Sequence, residues 1–250
     1  MEVFAHWVAT YPLFVWLAIS AAAGGSAVWL GRYYAAQPAR ARVRRCLGMA
    51  AGAGVVFLLL ALAVSLDRGV VAIDTRLAAA LGLSMPSSLL WVLSWFTRLG
   101  DRDWLTVVAI AMTVWLLWRR EWGLALACAI ATGGAGMLSQ IVKQAFQRVR
   151  PEHVHGYVSE TGWSFASGHA SASFAVYGFA CYLALRILRA PWRGACLAGT
   201  AALIAAIGVS RVLLQVHYLS DVVAGFALSL VWLSLCVAVL EHQRLGARRA

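Results

Sequence analysis

Long apolar runs separated by short polar segments dominate the chain. Runs long enough to cross about 30 Å of hydrocarbon at roughly 1.5 Å per residue fall at about 12–30, 47–66, 104–118, 122–142, 169–188, 191–209 and 222–240. Seven spans are predicted, the third short and dependent on Trp104, Trp115 and Trp118 as interfacial anchors. Residues 67–103 set Asp67, Asp74, Asp101 and Asp103 against four arginines, which reads as charge balance on an aqueous face. Within them, Leu89, Leu90, Trp91, Leu93, Trp95 and Phe96, beside Pro86 and Ser87, predict a helix lying in the membrane interface or a re-entrant piece. No internal repeat or linker interrupts the pattern. The expected fold is an all-α, polytopic membrane helix bundle forming one structural domain: six core spans and an extra N-terminal one.

Composition sharpens that picture. With 62% hydrophobic and 12% charged residues, and a mean hydropathy of +0.76, the chain is too apolar for a soluble globular domain. Its net charge of +11 does not point to nucleic acid, because the arginines gather at the ends of apolar runs and form no basic stripe interleaved with aromatics. Counting them orients the bundle. Arg32, Arg40, Arg42, Arg44 and Arg45, then Arg119 and Arg120, then Arg186, Arg189 and Arg193, then Arg244, Arg248 and Arg249 all fall on one side if seven spans are real. The positive-inside rule makes that side cytoplasmic. Glu2 precedes the first run and no Lys or Arg does, so that run reads as a retained span and not as a signal peptide. Cys46, Cys128, Cys181, Cys196 and Cys236 all sit in or beside apolar runs, so buried thiols are expected, with neither disulfide nor metal cluster.

Three polar clusters share the opposite, outer face, since an even number of crossings separates them. The first is Lys143 with Arg150 and Pro151, in a segment that holds the chain's only lysine. Taken alone, Lys143 and Arg148 read as side chains snorkelling from a helix end. The second is Ser164–His169, where Ser167 and Gly168 open a span and offer a hydroxyl, backbone N–H groups and the positive end of a helix dipole, which suit a phosphate. A plain helix cap explains Ser167 equally well. The third is Ser210–Asp221, in which His217 and Asp221 are spaced i,i+4 and so lie on one face if both are helical. An aspartate on one ring nitrogen leaves the other free to attack or to accept a proton, and Arg211 adds a planar fork for phosphate oxygens. A structural His–Asp pair is the competing reading.

Together the clusters supply three cations, a Ser-Gly helix start and two histidines, which matches phosphoryl transfer better than acyl transfer. A metal route is disfavoured: Glu152, Glu160 and Asp221 are too few and too scattered for a two-metal carboxylate site, and nothing in the pattern supports zinc on His153, His155 and His169. No cofactor is expected.

The combination resembles the type 2 phosphatidic acid phosphatase family of membrane lipid phosphatases. The family's three signatures read here as Lys143 to Arg150-Pro151, as Ala166-Ser167-Gly168-His169, and as Ser210-Arg211 to His217 to Asp221, in order and at the expected spacing over about 143–221. The resemblance implies that His217 is the nucleophile, becoming a phosphohistidine, that Asp221 orients it, and that His169 protonates the leaving oxygen. It also implies that Lys143, Arg150, Ser167, Gly168 and Arg211 bind the phosphate without metal. Ala166 stands where the family usually has proline, which is expected to loosen the turn before the helix. Residues 1–46, an N-terminal span with a basic cytoplasmic loop, lie outside the resemblance, and 47–250 form the lipid phosphatase membrane domain.

A site at the outer rim of apolar helices should take a phosphate whose lipid tails stay in the bilayer, so lipid phosphates and membrane lipids are the expected partners. Undecaprenyl pyrophosphate is favoured, with phosphatidylglycerophosphate or phosphatidic acid next, in a bacterial cytoplasmic membrane with the site facing outward. A phosphotransferase using the same intermediate and a proton-coupled transporter are the competing readings. The oligomeric state is open. Activity is expected to fall on the acid side as His217 protonates.

Overall fold

The computed structural model describes residues 2–35, 40–152 and 155–247. His153, Arg248 and Arg249, named above, lie outside the described residues, as does the side chain of Arg40. The described chain is helical: α1 (Glu2–Thr10), α2 (Pro12–Ala35), α3 (Arg40–Ser65), α4 (Val70–Ser84), α5 (Ser87–Phe96), a 3-10 turn (Thr97–Gly100), α6 (Arg102–Trp118), α7 (Trp122–Phe146), α8 (Gly168–Ile187), α9 (Ala190–Leu213) and α10 (Leu219–Ala247).

Six of these helices, α2, α3, α7, α8, α9 and α10, are long and apolar enough to cross a membrane. The third predicted run is different. α6 has 17 residues and belongs to a bent unit in which Val70–Ser84 and Ser87–Trp118 turn by 119°. The cause is local: Pro86 has no N–H to continue a helix and keeps Met85 extended, so α4 stops and the chain restarts in a new direction. The helix or re-entrant piece read from Leu89 to Phe96 falls on α5, a helix after a sharp bend, while α4 was masked in the sequence by Asp74 and Arg76 inside its apolar pattern.

α8 lies in the middle of the bundle, against α6, α7, α9 and α10, and α10 packs along α3 on its other side. α2 runs along α9 at the periphery, where the Trp16 indole donates to Ala206 O at 2.9 Å and its ring meets Phe96 edge-on. Close approach of α10 to the start of α8 depends on Gly225, where a Cβ would lie 2.7 Å from Ser167 O. All five cysteines are free thiols.

The bundle has two chemically distinct ends. At one, Glu241 of α10 accepts from the Tyr182 hydroxyl at 2.9 Å and pairs with Arg42 at 3.3 Å. At the other, the end of α7, the start of α8, the end of α9 and the start of α10 converge around Asp221. The helical rise puts about 30 Å between Asp221 and Glu241, the thickness of a hydrocarbon core.

Candidate active site

The turn joining α9 to α10 places His217. Gln215 adopts φ 55°, ending α9, and the N–H groups of Val216 and His217 fold back onto Arg211 O at 3.2 and 3.3 Å. His217 therefore stands ahead of α10, not on it, which corrects the reading of His217 and Asp221 as one helical face. They still meet, for a capping reason: Asp221 is the third residue of α10 and its carboxylate accepts from the Tyr218 N–H at 2.9 Å, as an acid at that position does. This sets Asp221 Oδ2 3.5 Å from His217 Nδ1.

Ser164 completes the link. Its hydroxyl donates to Asp221 Oδ2 at 2.5 Å and lies 3.2 Å from His217 Nδ1. Having used its proton on the carboxylate, the hydroxyl can only accept from the ring, so Nδ1 carries the hydrogen. On the other side, Arg150 Nη1 is 3.1 Å from His217 Nε2. A guanidinium only donates, so Nε2 holds a lone pair. Both partners assign the same tautomer, with the lone pair aimed at the cavity described below.

Arg150 is positioned by carbonyls, donating to Val216 O at 2.7 Å and Gly162 O at 2.9 Å. Lys143, at the end of α7, donates to Trp163 O at 2.8 Å. Gln147 ends α7 with φ 46°, after which Arg148 turns inward and donates to Asp221 Oδ1 at 2.7 Å. Ser167 caps α8, its hydroxyl accepting from Ala170 N at 3.5 Å and its own N–H donating to Asp221 O at 2.9 Å. The Phe165–Ala166 peptide is cis, and both residues are fully buried.

His169, in the first turn of α8, has Nε2 2.8 Å from Asp101 Oδ1 and Nδ1 3.9 Å from Glu160 Oε1. A carboxylate only accepts, so Nε2 carries hydrogen toward Asp101, and Nδ1 is the nitrogen turned toward Glu160. Arg211 is fully buried; it donates to Thr97 Oγ1 at 3.1 Å and to Glu160 Oε1, while its Nε has no partner among the described residues. Glu160 Oε2 is also 3.8 Å from Arg150.

Lys143, Arg150, Gly168, His169 and His217 line one cavity of about 1180 Å³. Away from them it continues between α6, α7 and α8, past Ile110, Val114, Met137 and Val176. Arg211 and Ser167 do not line it: Glu160 stands in front of the first, and capping occupies the second.

Burial dominates the electrostatics. Desolvation holds the His217 pKa down to about 3, with Arg150 and Arg211 adding to it and Asp221 opposing. The imidazole is therefore neutral across the physiological range, and its protonation moves well below the acid fall expected from the sequence. Desolvation also lowers Arg150 from its ordinary value, against the pull of Glu160 and Asp221. Burial alone would favour the neutral acid of Glu160, but Arg211, His169 and Arg150 outweigh it and hold the carboxyl below its usual range.

Several of these groups escaped the sequence reading. The pattern along the chain reads Asp74 and Asp101 as charge balance and Arg148 as snorkelling, and it gives Ser164 and Glu160 no role in holding the histidines. The available signals are an acid directly after the apolar run Val70–Ile73 and an arginine two residues before Arg150. Among the described residues, no three His, Cys, Asp or Glu side chains converge in a metal-binding group. His155 is bonded to Leu214 O at 2.6 Å.

Comparison with known proteins bears on the same helices. Residues 122–244 match the model of the PAP2 superfamily, and they contain every residue that lines the polar end of the cavity from α7 onward. The chain is 29% identical over 181 residues to phosphatidylglycerophosphatase B of Bacillus subtilis (strain 168), covering 70% of this chain and 86% of that one. It is 33% identical over 120 residues to lipid A 1-phosphatase of Rhizobium etli, of which it spans 45%. The crystal structure of the PAP2 type phosphatidylglycerolphosphate phosphatase from Bacillus subtilis superposes with a TM-score of 0.66 at 26% identity, covering 76% of this chain and 96% of that one. Motifs, helix arrangement and relatives agree: residues 122–244 form a domain of the PAP2 superfamily, whose matched relatives are lipid phosphatases.

Proposed function

We propose that the protein hydrolyses a phosphate ester or pyrophosphate on a membrane lipid through a phosphohistidine on His217, without a metal ion. The observation that carries this is the Nε2 lone pair of His217, aimed into a cavity that also holds Lys143, Arg150 and His169. Arrival of the phosphate draws the Arg150 fork from Nε2 onto phosphate oxygens, where bidentate donation is strongest. Lys143 and the first N–H groups of α8 around Gly168 complete the grip, Arg211 joins it once the phosphate displaces Glu160, and Ser167 holds that helix end in place. Nε2 attacks phosphorus and forms the N–P bond. The P–O bond to the lipid breaks, its electron pair goes to the leaving oxygen, and that oxygen takes the Nδ1 proton of His169, which enters the cycle as the imidazolium between Asp101 and Glu160. Water then attacks phosphorus and gives one proton to His169 Nδ1, while the N–P bond breaks with its electron pair returning to His217 Nε2 and phosphate leaves.

Asp221 and Ser164 hold the ring with Nδ1–H pointing away, so the cation formed on phosphorylation faces a carboxylate. The cations in the cavity supply the charge stabilisation that a metal supplies elsewhere. The apolar continuation between α6, α7 and α8 supports a substrate whose tail stays among the helices. Residues 47–250 form the catalytic unit in this reading, and 1–46 add a span that leans on α9.

The relative spanning most of this chain is a phosphatidylglycerophosphatase by name, which supports a glycerolipid phosphomonoester as substrate. The outward placement supports undecaprenyl pyrophosphate. The arginine-rich end supports a bacterial cytoplasmic membrane with the site facing the periplasm or the outside.

The test is phosphate release in detergent with excess chelator from phosphatidylglycerophosphate, phosphatidic acid and undecaprenyl pyrophosphate, for the parent and His217→Ala. Metal-independent turnover that the substitution abolishes is the expected result. Activity that dies with chelator, or survives in the variant, overturns the mechanism. Label appearing in another lipid instead of in free phosphate identifies a phosphotransferase.

A further inference from the structure

Arg148 holds two carboxylates at once. Besides its bond to Asp221 Oδ1, its Nη1 donates to Ser220 Oγ at 2.7 Å and its Nη2 to Asp74 Oδ2 at 2.9 Å. Asp74 comes from the middle of α4, outside the residues that match the family model, and is 2% exposed. It also accepts from the Ser220 N–H at 3.1 Å and from the Ser220 hydroxyl. The guanidinium carbon lies 4.2 Å from the Tyr218 ring centroid. Two buried acids and one arginine are thus joined behind the histidine, with one negative charge left over.

That remainder has a use. Arg148 and Asp221 alone would form a neutral pair, which stabilises a cation on the ring less than a carboxylate carrying its full charge. Asp74 cancels the arginine, so Asp221 keeps its charge while Arg148 keeps it oriented. The other charged or titratable groups around His217 are Arg150 and Glu160 from the 147–167 segment, Arg211 from α9, Lys143 from α7 and His169 from α8, and those arginines and the lysine oppose a ring cation. Glu160, the other acid, is already neutralised by Arg211 and Arg150, so among the described residues the Asp221 side is the one that favours it. Burial disfavours the charge of Arg148 as well, yet Asp221 and Asp74 more than offset this and hold its pKa above the ordinary value.

We propose that Asp74 and Arg148 are positioning residues for the reaction at His217, a charge-balanced clamp that orients Asp221 and sets how strongly the phosphohistidine is stabilised. This rests on the phosphohistidine reading above.

The two residues act with opposite sign on the intermediate, which a merely structural staple does not. Asp74→Asn keeps the shape and an acceptor but leaves the trio neutral. The phosphoenzyme then forms more slowly and hydrolyses faster. Arg148→Gln leaves two negative charges, so the phosphoenzyme accumulates. The experiment feeds radiolabelled phosphatidic acid to the full-length protein in detergent, quenches in alkali, and measures the labelled fraction at steady state, with His217→Ala as the blank. Expected is a roughly tenfold lower fraction in Asp74→Asn, a higher one in Arg148→Gln, and a value near the parent in the double variant. KM should stay within about twofold throughout, because neither residue lines the cavity. Should Arg148→Gln fail to fold, Asp74→Asn and Arg148→Lys decide. Lysine has one ammonium for two acids and should not restore the parent fraction. Label on the parent with both single variants changing in the same direction, or not at all, overturns the clamp and leaves the phosphohistidine standing. No label on the parent takes down both.

Discussion

Arg150 Nη1 lies 3.1 Å from His217 Nε2, so in the proposed reaction the group that binds phosphate rests on the atom that attacks it. The same guanidinium is locked to the Gly162 and Val216 carbonyls. Arg150→Lys should therefore behave as a loss and not as a conservative change. Lysine keeps the charge but cannot fork between two carbonyls and a phosphate. Phosphate release by purified protein should show kcat/KM down by about 100-fold or more; a lysine variant within a few-fold of the parent would show that only the charge matters.

Glu160 stands where an anion is wanted. It bonds Arg211, lies 3.8 Å from Arg150 and 3.9 Å from His169, and is held ionised by them. Gly156 and Gly162, both at φ 77°, flank it in the segment that carries it. An entering phosphate must displace the carboxylate from these cations. Glu160→Gln should bind inorganic phosphate more tightly, lowering its inhibition constant roughly tenfold, the order expected when one competing charge is removed. It should also lower thermal stability, because Arg211 loses its ionic partner. An unchanged inhibition constant would place phosphate elsewhere.

Stability should depend on pH through His217. Its folded pKa is about 3, below the value near 6.5 of an exposed histidine. Between those two values the unfolded chain binds the extra proton, so stability rises with pH. The contribution is fully present above about pH 6.5, is lost as pH falls from there toward 3, and amounts to a few kcal/mol. Thermal unfolding in detergent should show a shallower acid decline in His217→Gln than in the parent. Parallel curves would mean that other groups control acid stability.

Gly225 is the contact on which α10 and the start of α8 close. A methyl there meets Ser167 O at 2.7 Å and Ala170 Cβ at 3.2 Å, with backbone and not a flexible side chain in the way. Gly225→Ala should destabilise by about 1–3 kcal/mol and lower activity, because the displaced Ser167 also donates its N–H to Asp221 O. Melting temperature and phosphate release measured on the same samples test both parts. Full stability would mean that the two helices have room to separate.

The sequence by itself determined a membrane bundle, because repeated apolar runs of about twenty residues have few other stable environments, and it marked His217, His169, Lys143, Arg150 and Arg211 because polar groups so close to such runs need partners. It also put the three motifs at one end, since only the number of crossings is needed for that. What it did not determine is who, besides Asp221, holds the histidines. Asp74, Asp101 and Thr97 reach the site from α4 and the 3-10 turn, far away in the chain, and a bend of 119° after α4 has no periodic signature. Whether a cation faces the cavity, as Arg150 does, or lies buried behind a carboxylate, as Arg211 does, depends on which helix ends converge. Spacing along a chain limits which residues can meet, but the direction in which a side chain points is decided by packing, and that is why the charges that control His217 became visible only in the folded molecule.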